Sequence, residues 1–476
     1  MGKRKRPTIL DGSTAKEDVR NKKTKASDDA PAPAPVTIQI VTGSYDRVLH
    51  GLTATISPDD QVEFADTFLF NAHSSAIRCL AMSPPFGPRT WEDPESHVSL
   101  RRKSKDLLSS IAPRKILENP KNRELGTLLH HSSTITSLSF PTRSKLISSS
   151  EDSSIAVTRT RDWSLLSAIK VPKPKPQGRP SGDTAALDGM PAGVNDFAVH
   201  PSMKLMISVS RGERCMRLWN LMTAKKAGVL NFTRDMLQQA GETKHSPGEG
   251  RKVVWGATEE GDEFCVGFDR DLIVFGMDST PRCRVMPEPR RKIHEFCYVS
   301  VDLATESSLL AVSTEDGRVL FFSTNTDDLS TDPVQSGKET GKLPVAKLIA
   351  QVGGREAGVS GRIKDFAICK VAGRQGDSFL ISAGSSDGKI RLFMVPVKDL
   401  MDARGAKSAP QIGKSLGTYE TQNRITCLSA FVMIPREEGA QDSDDEFGDE
   451  EIDNLDDEDD EDSGDSDSGN EDEDDN

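Results

Sequence analysis

The stretch HHSSTITSLSFPTRSKLISSSEDSSIAVTRT, His130 to Thr160, decides the reading of the fold. Its first phrase, HHSSTITSLSF, begins polar and turns into an alternating run. Its second, LISSSEDSSIAVTRT, is an apolar strand, small residues, an acidic turn and another strand. Alternation at period two, broken by turn residues, is the pattern of antiparallel strands. The Asp of such a turn accepts hydrogen bonds from nearby amides, and its small neighbours tolerate a tight hairpin.

Both phrases recur. MISVSRGERCMRLWNL (206–221), LLAVSTEDGRVLFFS (309–323) and FLISAGSSDGKIRLFMV (379–395) repeat the second. AGVNDFAVHPS (192–202), RKIHEFCYVSVDL (291–303) and GRIKDFAICKV (361–371) repeat the first, and residues 253–277 form a degraded unit. One phrase of each kind makes four strands, and repetition of such a unit predicts a propeller. The ends complete each other: NRITCLSAFVMI (423–434) is a first phrase with no second, and IQIVTGSYDRVLHGL (38–52) a second phrase with no first. Joined, they form a composite unit that locks a ring and removes its open edges.

Further units begin near Phe70, Leu125, Ala192, Val253, Arg291 and Gly361, which brings the total to seven. Setting aside apparent insertions (84–124, 171–192, 231–250, 325–345, 397–412) leaves about 40 residues per unit, near the usual repeat period. The unit opened by AHSSAIRCLAMSP (72–84) lacks the expected second phrase. Residues 84–124 are polar and basic, and read as an irregular insertion or a faulty translation of the gene. The expected fold is all-β: a seven-bladed propeller over 37–434, with a disordered basic arm at 1–36 and a disordered acidic tail at 435–476.

Charge divides the chain the same way. From Gln441 onward there are 22 acidic residues and no basic one, whereas the rest carries 61 Lys and Arg against 52 Asp and Glu. The tail cannot fold alone, because like charges repel and little can be buried. Ser443 and Ser468 each have Glu three residues on and are candidates for an acidophilic kinase. In the arm, Lys3, Arg4, Lys5 and Arg6 form a nuclear import candidate; any contact they make with RNA phosphates would be nonspecific and salt-sensitive. Seven dispersed cysteines without a CxxC pair suggest reduced thiols inside a cell, and no apolar run is long enough to span a membrane.

Catalysis needs a convergent nucleophile, base and orienting group, and nothing in the sequence supplies them. His73, His130, His131 and His200 read as equivalent structural positions, with no metal-ligand spacing around them. Asp46, Asp152, Asp316 and Asp387 recur once per unit, so they read as turn stabilisers rather than catalytic carboxylates. Trp219 reads as a packing residue, as do Trp163 and Trp255. No phosphate-binding glycine motif occurs. The expectation is a chain with no catalytic, cofactor or metal site.

The repeats, with Trp219–Asn220 closing one of them, resemble WD repeats. The blocks VTGSYDRVLHGL, LGTLLHHSSTITSLSF and AVHPSMKLMISVSRGERCMRLWNL resemble, in order, the WD-repeat ribosome-biogenesis family that includes the PAK-kinase-inhibitor homologues. The resemblance covers roughly 38–434. It departs in the unit after Pro84 and at Thr158, which takes the usual Trp position. It implies a monomeric scaffold within a larger nucleolar particle, bound to pre-ribosomal assembly factors and ribosomal proteins during large-subunit assembly and rRNA maturation. As the alternative it implies direct restraint of a p21-activated protein kinase.

Overall fold

The computed structural model describes residues 35–83, 105–109, 114–119, 123–173, 192–243, 246–302, 307–330, 342–373, 376–406 and 408–433. The import candidate Lys3–Arg6, the arm, and the tail with Ser443 and Ser468 lie outside them. The chain enters on three antiparallel strands, β1 (Val36–Ser44), β2 (Val48–Ile56) and β3 (Val62–Asn71). Next come β4 (Leu80–Met82), β5 (Lys105–Ser109), β6 (Arg114–Asn119) and β7 (Arg123–Leu128), paired in chain order. Within 84–124, where the sequence reading expects irregular chain, the backbone therefore pairs Ala81 with Leu108 and Leu107 with Leu117.

Five four-stranded sheets then follow one another. The first holds β8 (Ile135–Thr142), β9 (Lys145–Ser150), β10 (Ser154–Arg159) and β11 (Leu165–Lys170). The second holds β12 (Val194–Val199), β13 (Leu205–Ser210), β14 (Cys215–Asn220) and β15 (Lys225–Asn231). The third holds β16 (Lys252–Thr258), β17 (Gly261–Gly267), β18 (Leu272–Gly276) and β19 (Pro281–Val285). The fourth holds β20 (Ile293–Asp302), β21 (Ser307–Thr314), β22 (Arg318–Ser323) and β23 (Lys347–Gly353). The fifth holds β24 (Ile363–Gly373), β25 (Gly376–Ser385), β26 (Lys389–Pro396) and β27 (Lys414–Glu420).

The last strand, β28 (Ile425–Val432), returns to the beginning of the chain. It pairs antiparallel with β1, from Ile38 opposite Val432 to Ser44 opposite Ile425, making a sheet in the order β28, β1, β2, β3. The first strands of the sheets meet in sequence: β4 touches β8, then contacts pass through β12, β16, β20 and β24 to β28, which touches β4. Phe70 and Leu125 correct two of the expected unit boundaries. They lie in β3 and β7, the last strands of the preceding sheets.

Each sheet packs face to face on its neighbours, so the apolar core lies in layers between sheets. Ile207 and Val209 meet Phe264 and Phe275 in one layer; Phe321 and Ile349 meet Phe366 and Phe393 in another. Ile38 and Ile40 of the composite sheet meet Leu380 and Leu392. Each buried Phe or Ile contributes roughly 1.5–3 kcal/mol over its exposed state. Because both faces are covered, the middle strands lose alternation: all of β21, SSLLAVST, is buried. Two inserts fold as short helices, α1 (Arg234–Gln239) and α2 (Val397–Arg404), which bury Leu237 and Leu400.

Candidate functional site

The hairpin turns between the second and third strands lie at the end of the molecule where the first strands begin. Four of them follow a shared local rule. A Ser or Thr opens the turn, an Asp sits two residues later, and the next residue adopts positive φ: Arg47 at 71°, Ser153 at 64°, Gly317 at 84° and Gly388 at 82°. Glycine suits that left-handed position best, since it has no Cβ to clash.

The four aspartates use their turns differently. Asp152 accepts from the Ser154 amide at 2.9 Å, the Ser154 hydroxyl at 2.6 Å and the Ser132 amide at 3.1 Å. Asp316 accepts from the Thr314 hydroxyl at 2.5 Å and Arg318 Nε at 2.9 Å. Asp387 accepts from the Ser385 hydroxyl at 2.5 Å and Arg391 Nη2 at 2.8 Å. Asp46 instead receives the Arg424 amide at 3.2 Å across the composite sheet. Burial pushes the carboxyls of Asp152, Asp316 and Asp387 up, but hydrogen bonds and neighbouring cations outweigh it and hold all three below the ordinary range.

His131 joins Asp152 to the strand beneath. Its Nδ1 lies 3.0 Å from Asp152 Oδ2, and its Nε2 lies 2.9 Å from Ser148 Oγ. A Ser–His–Asp chain of this connectivity is that of a hydrolase triad. Here Ser148 is 0% exposed and packed inside the sheet, so no acyl group can reach its hydroxyl. The arrangement works as a brace between turn and strand. His73 stands at the corresponding point before β4, but His200 follows β12 at the opposite end of the sheet and binds Asp262 at 3.0 Å. The four histidines are therefore not equivalent, contrary to expectation.

Trp219 is buried and donates through Nε1 to Ser208 Oγ at 2.8 Å. Ser208 occupies in β13 the register position that Ser148 occupies in β9. Trp255, half-buried, donates to the Ala198 carbonyl at 3.1 Å and packs edge-on against Phe264. Trp163 packs at the margin of the Ile135–Leu146 cluster.

Sequence reasoning missed the side chains that stitch one first strand to the next. Thr136 donates to the Val194 carbonyl at 2.6 Å, and Asn195 to the Gly250 carbonyl at 2.8 Å. Asp196 accepts the Val253 amide at 3.0 Å, and Asp365 the Leu428 amide at 2.7 Å. The signal was available: a polar residue follows the opening of each first phrase, as in VND and IKD. Between these stitches Lys252 pairs with Glu295. Burial and the adjacent Glu295 push the Asp365 carboxyl up to about 8, and burial raises Asp196 and Glu295 as well.

The rim of the same end is rich in cations. One side holds a cavity of about 260 Å³ lined by Arg78, Thr136, Asn195, Arg211, Glu249 and Arg251. Its arginines are matched by carboxylates: Glu151 lies 3.1 Å from Arg78 and 3.3 Å from Arg211, and Asp269 lies 3.1 Å from Arg251. Among the described residues no group of three or more His, Cys, Asp or Glu is arranged to hold a metal ion.

Residues 122–157 match the WD domain, G-beta repeat family. The chain carries a WD repeat. The matched segment contains the whole His131–Ser148–Asp152 brace and stops one residue before Thr158. Over 401 residues the chain is 24% identical to p21-activated protein kinase-interacting protein 1-like of Gallus gallus, covering 83% of this chain and 80% of that one. The Xenopus laevis protein of the same name is 22% identical over 396 residues, covering 83% and 82%. Protein MAK11 of Saccharomyces cerevisiae is 25% identical over 419 residues, covering 82% of each chain. The chain is a homologue of these proteins along most of its length.

Proposed function

We propose that the chain is a seven-bladed β-propeller that serves as a non-catalytic, protein-binding scaffold in assembly of the large ribosomal subunit. The observation that carries this reading is the correspondence with Protein MAK11 over 82% of each chain. The circuit of first strands from β4 to β28 supports the ring, and each four-stranded sheet would be one blade. The sealed Ser148–His131–Asp152 brace supports a structural use of groups that elsewhere do chemistry. In this reading the basic arm with Lys3–Arg6 carries the chain to the nucleus and nucleolus. The acidic tail contacts basic ribosomal proteins, and phosphate on Ser443 and Ser468 would add to its charge.

A second reading is restraint of a p21-activated kinase by direct binding, favoured by the name that the Gallus gallus and Xenopus laevis relatives share. Affinity purification of the tagged chain, with sucrose-gradient sedimentation and mass spectrometry, separates the two. Co-sedimentation with large-subunit precursors is the expected result. Absence from those particles, with a salt-resistant kinase complex in its place, overturns the ranking.

A further inference from the structure

The rim beyond the Arg78–Arg251 cavity is built differently. Lys292 and Arg362 precede β20 and β24, Lys364 is the second residue of β24, and Arg424 precedes β28. These strands are successive members of the ring of first strands, so the four cations gather over one sector of it. Glu315 answers Arg362 at 3.0 Å and Asp269 answers Lys292 at 3.5 Å. No carboxylate among the described residues lies within ion-pair distance of Lys364 or Arg424.

Lys364 Nζ instead lies 3.5 Å from His294 Nε2. Burial and the nearby Lys364, Lys292 and Arg362 push the His294 pKa down to about 4. Its ring is therefore neutral at physiological pH and accepts from the Lys364 ammonium. Burial and its cationic neighbours, Arg362, Arg424 and Lys292, lower Lys364 too. Lys364 and Arg424, neighbouring cations with no carboxylate of their own, work against folding, and such conflicts mark binding sites.

An aromatic ring completes the sector. Tyr45 is 61% exposed, and the Arg424 guanidinium lies over its ring at 5.7 Å. The Tyr45 amide donates to the Arg424 carbonyl at 2.8 Å, which fixes the pair at the seam between the chain's two ends. A flat ring presented beside unpaired cations fits a nucleobase stacked next to its own phosphates. An acidic peptide would use the cations and leave the ring idle.

We propose that Lys292, Arg362, Lys364, Arg424 and Tyr45 form a binding site for single-stranded RNA, with the cations on phosphates and a base on Tyr45. The proposal deepens the scaffold reading by naming what one sector of the ring binds. The test is fluorescence anisotropy of the full chain with a labelled 12-nucleotide oligouridine across a salt series. Lys364→Gln with Arg424→Gln should weaken binding at least tenfold and reduce the salt slope by about 1.4, from about 0.7 per phosphate contact. Tyr45→Ala should cost roughly tenfold. The Gln variants should melt no lower than the parent, since they relieve repulsion, and that separates lost binding from lost fold.

Absence of RNA binding, or binding indifferent to these substitutions, overturns the site. So does poly-glutamate that competes with the RNA and depends on Lys364 and Arg424 but not on Tyr45, because the ligand would then be an acidic peptide. If the site fails while the chain still sediments with large-subunit precursors, only this inference falls. If sedimentation fails while the RNA dependence holds, the scaffold reading falls alone.

Discussion

Replacing His131 by Ala tests whether the brace stabilises the sheet that carries the WD match. The imidazole is fully enclosed, its side chain 0% exposed, and it contacts Asp152, Ser154 and Ser148 at 2.9–3.0 Å. Removing it does not orphan the carboxylate, because the Ser154 amide and hydroxyl and the Ser132 amide remain. Ser148 fares worse: its remaining partner is the Ala156 carbonyl at 3.4 Å. The loss is one hydrogen bond to a charged group, about 1.5–3 kcal/mol, and one neutral bond, about 0.5–1.5 kcal/mol. The space left by the ring adds to both, and partial collapse subtracts, so about 2–4 kcal/mol is expected.

Urea denaturation at pH 7 measures this as a fall in the midpoint with little change in slope. A double-mutant cycle with Asp152→Asn isolates the pair and should give a coupling of 1 kcal/mol or more, within the range of about 0.5–3 kcal/mol for residues in contact. The pH dependence has a definite sign. The folded-state pKa of Asp152 is depressed, so its contribution is present above its ordinary value of 3.8 and is lost as pH falls through the folded value. The His131→Ala deficit should thus shrink in acid. A loss below about 0.5 kcal/mol at pH 7, or strict additivity with Asp152→Asn, refutes the brace.

Three further outcomes follow from local geometry. Thr158 Oγ1 is buried without a hydrogen-bond partner, so Thr158→Val, of nearly equal shape, should leave the urea midpoint unchanged or raise it by up to about 1 kcal/mol; a clear fall would mean the hydroxyl is satisfied. Gly388 has φ 82°, and a Cβ there would stand 3.0 Å from the Asn423 carbonyl oxygen, so Gly388→Ala should destabilise by 1 kcal/mol or more, and a neutral result would contradict the turn. Asp365, with its pKa raised to about 8, keeps its proton in the fold well above the pH at which the unfolded chain releases it. Stability should therefore decline as pH rises from about 4 toward about 8, by up to about 1.4 kcal/mol per unit, and Asp365→Asn should flatten that decline between pH 5 and 8; an unchanged slope assigns it to other groups.

The composite sheet was legible in the sequence because its evidence is covalent order. A first phrase at 423–434 and a second at 38–52 can be satisfied together only by pairing, and Ile38 does lie opposite Val432. The turn aspartates were legible because they recur at one offset. What escaped was set by partners distant in sequence. Asn195 gives no sign of its own that the Gly250 carbonyl, 55 residues away, will take its amide, and the recurring polar position that holds Asp365 does not name its partner, the Leu428 amide 63 residues on. The unit after β4 escaped for a different reason. Between β5 and β6 the sequence SIAP lacks the acidic turn residue that punctuates most other units, so these strands carry no local mark of their pairing.

The segment that matches the WD repeat, residues 122–157, keeps only part of the repeat's signature, and the strand registers show which part. In a repeat that kept every signature, the turn Asp, the His, the small residue in the second strand and the Trp of the third would act together. Here they are divided. The sheet of β8–β11 keeps His131, Ser148 and Asp152 but has Thr158 opposite Leu146; the sheet of β12–β15 has Trp219 on Ser208 but no His ahead of β12 and no Asp in its β13–β14 turn. Two sheets have substituted an ion pair for the His. Arg217, opposite Ser208, binds Glu213, and Arg391, opposite Ala383, binds Asp387, both from the position that Ala156 holds in the matched repeat. A guanidinium reaching up from the third strand does the work of an imidazole reaching down from the loop: both tie the turn to the sheet below. The fold thus constrains the brace and leaves the choice of residues open, which is how the four-stranded unit persists where its motif has eroded.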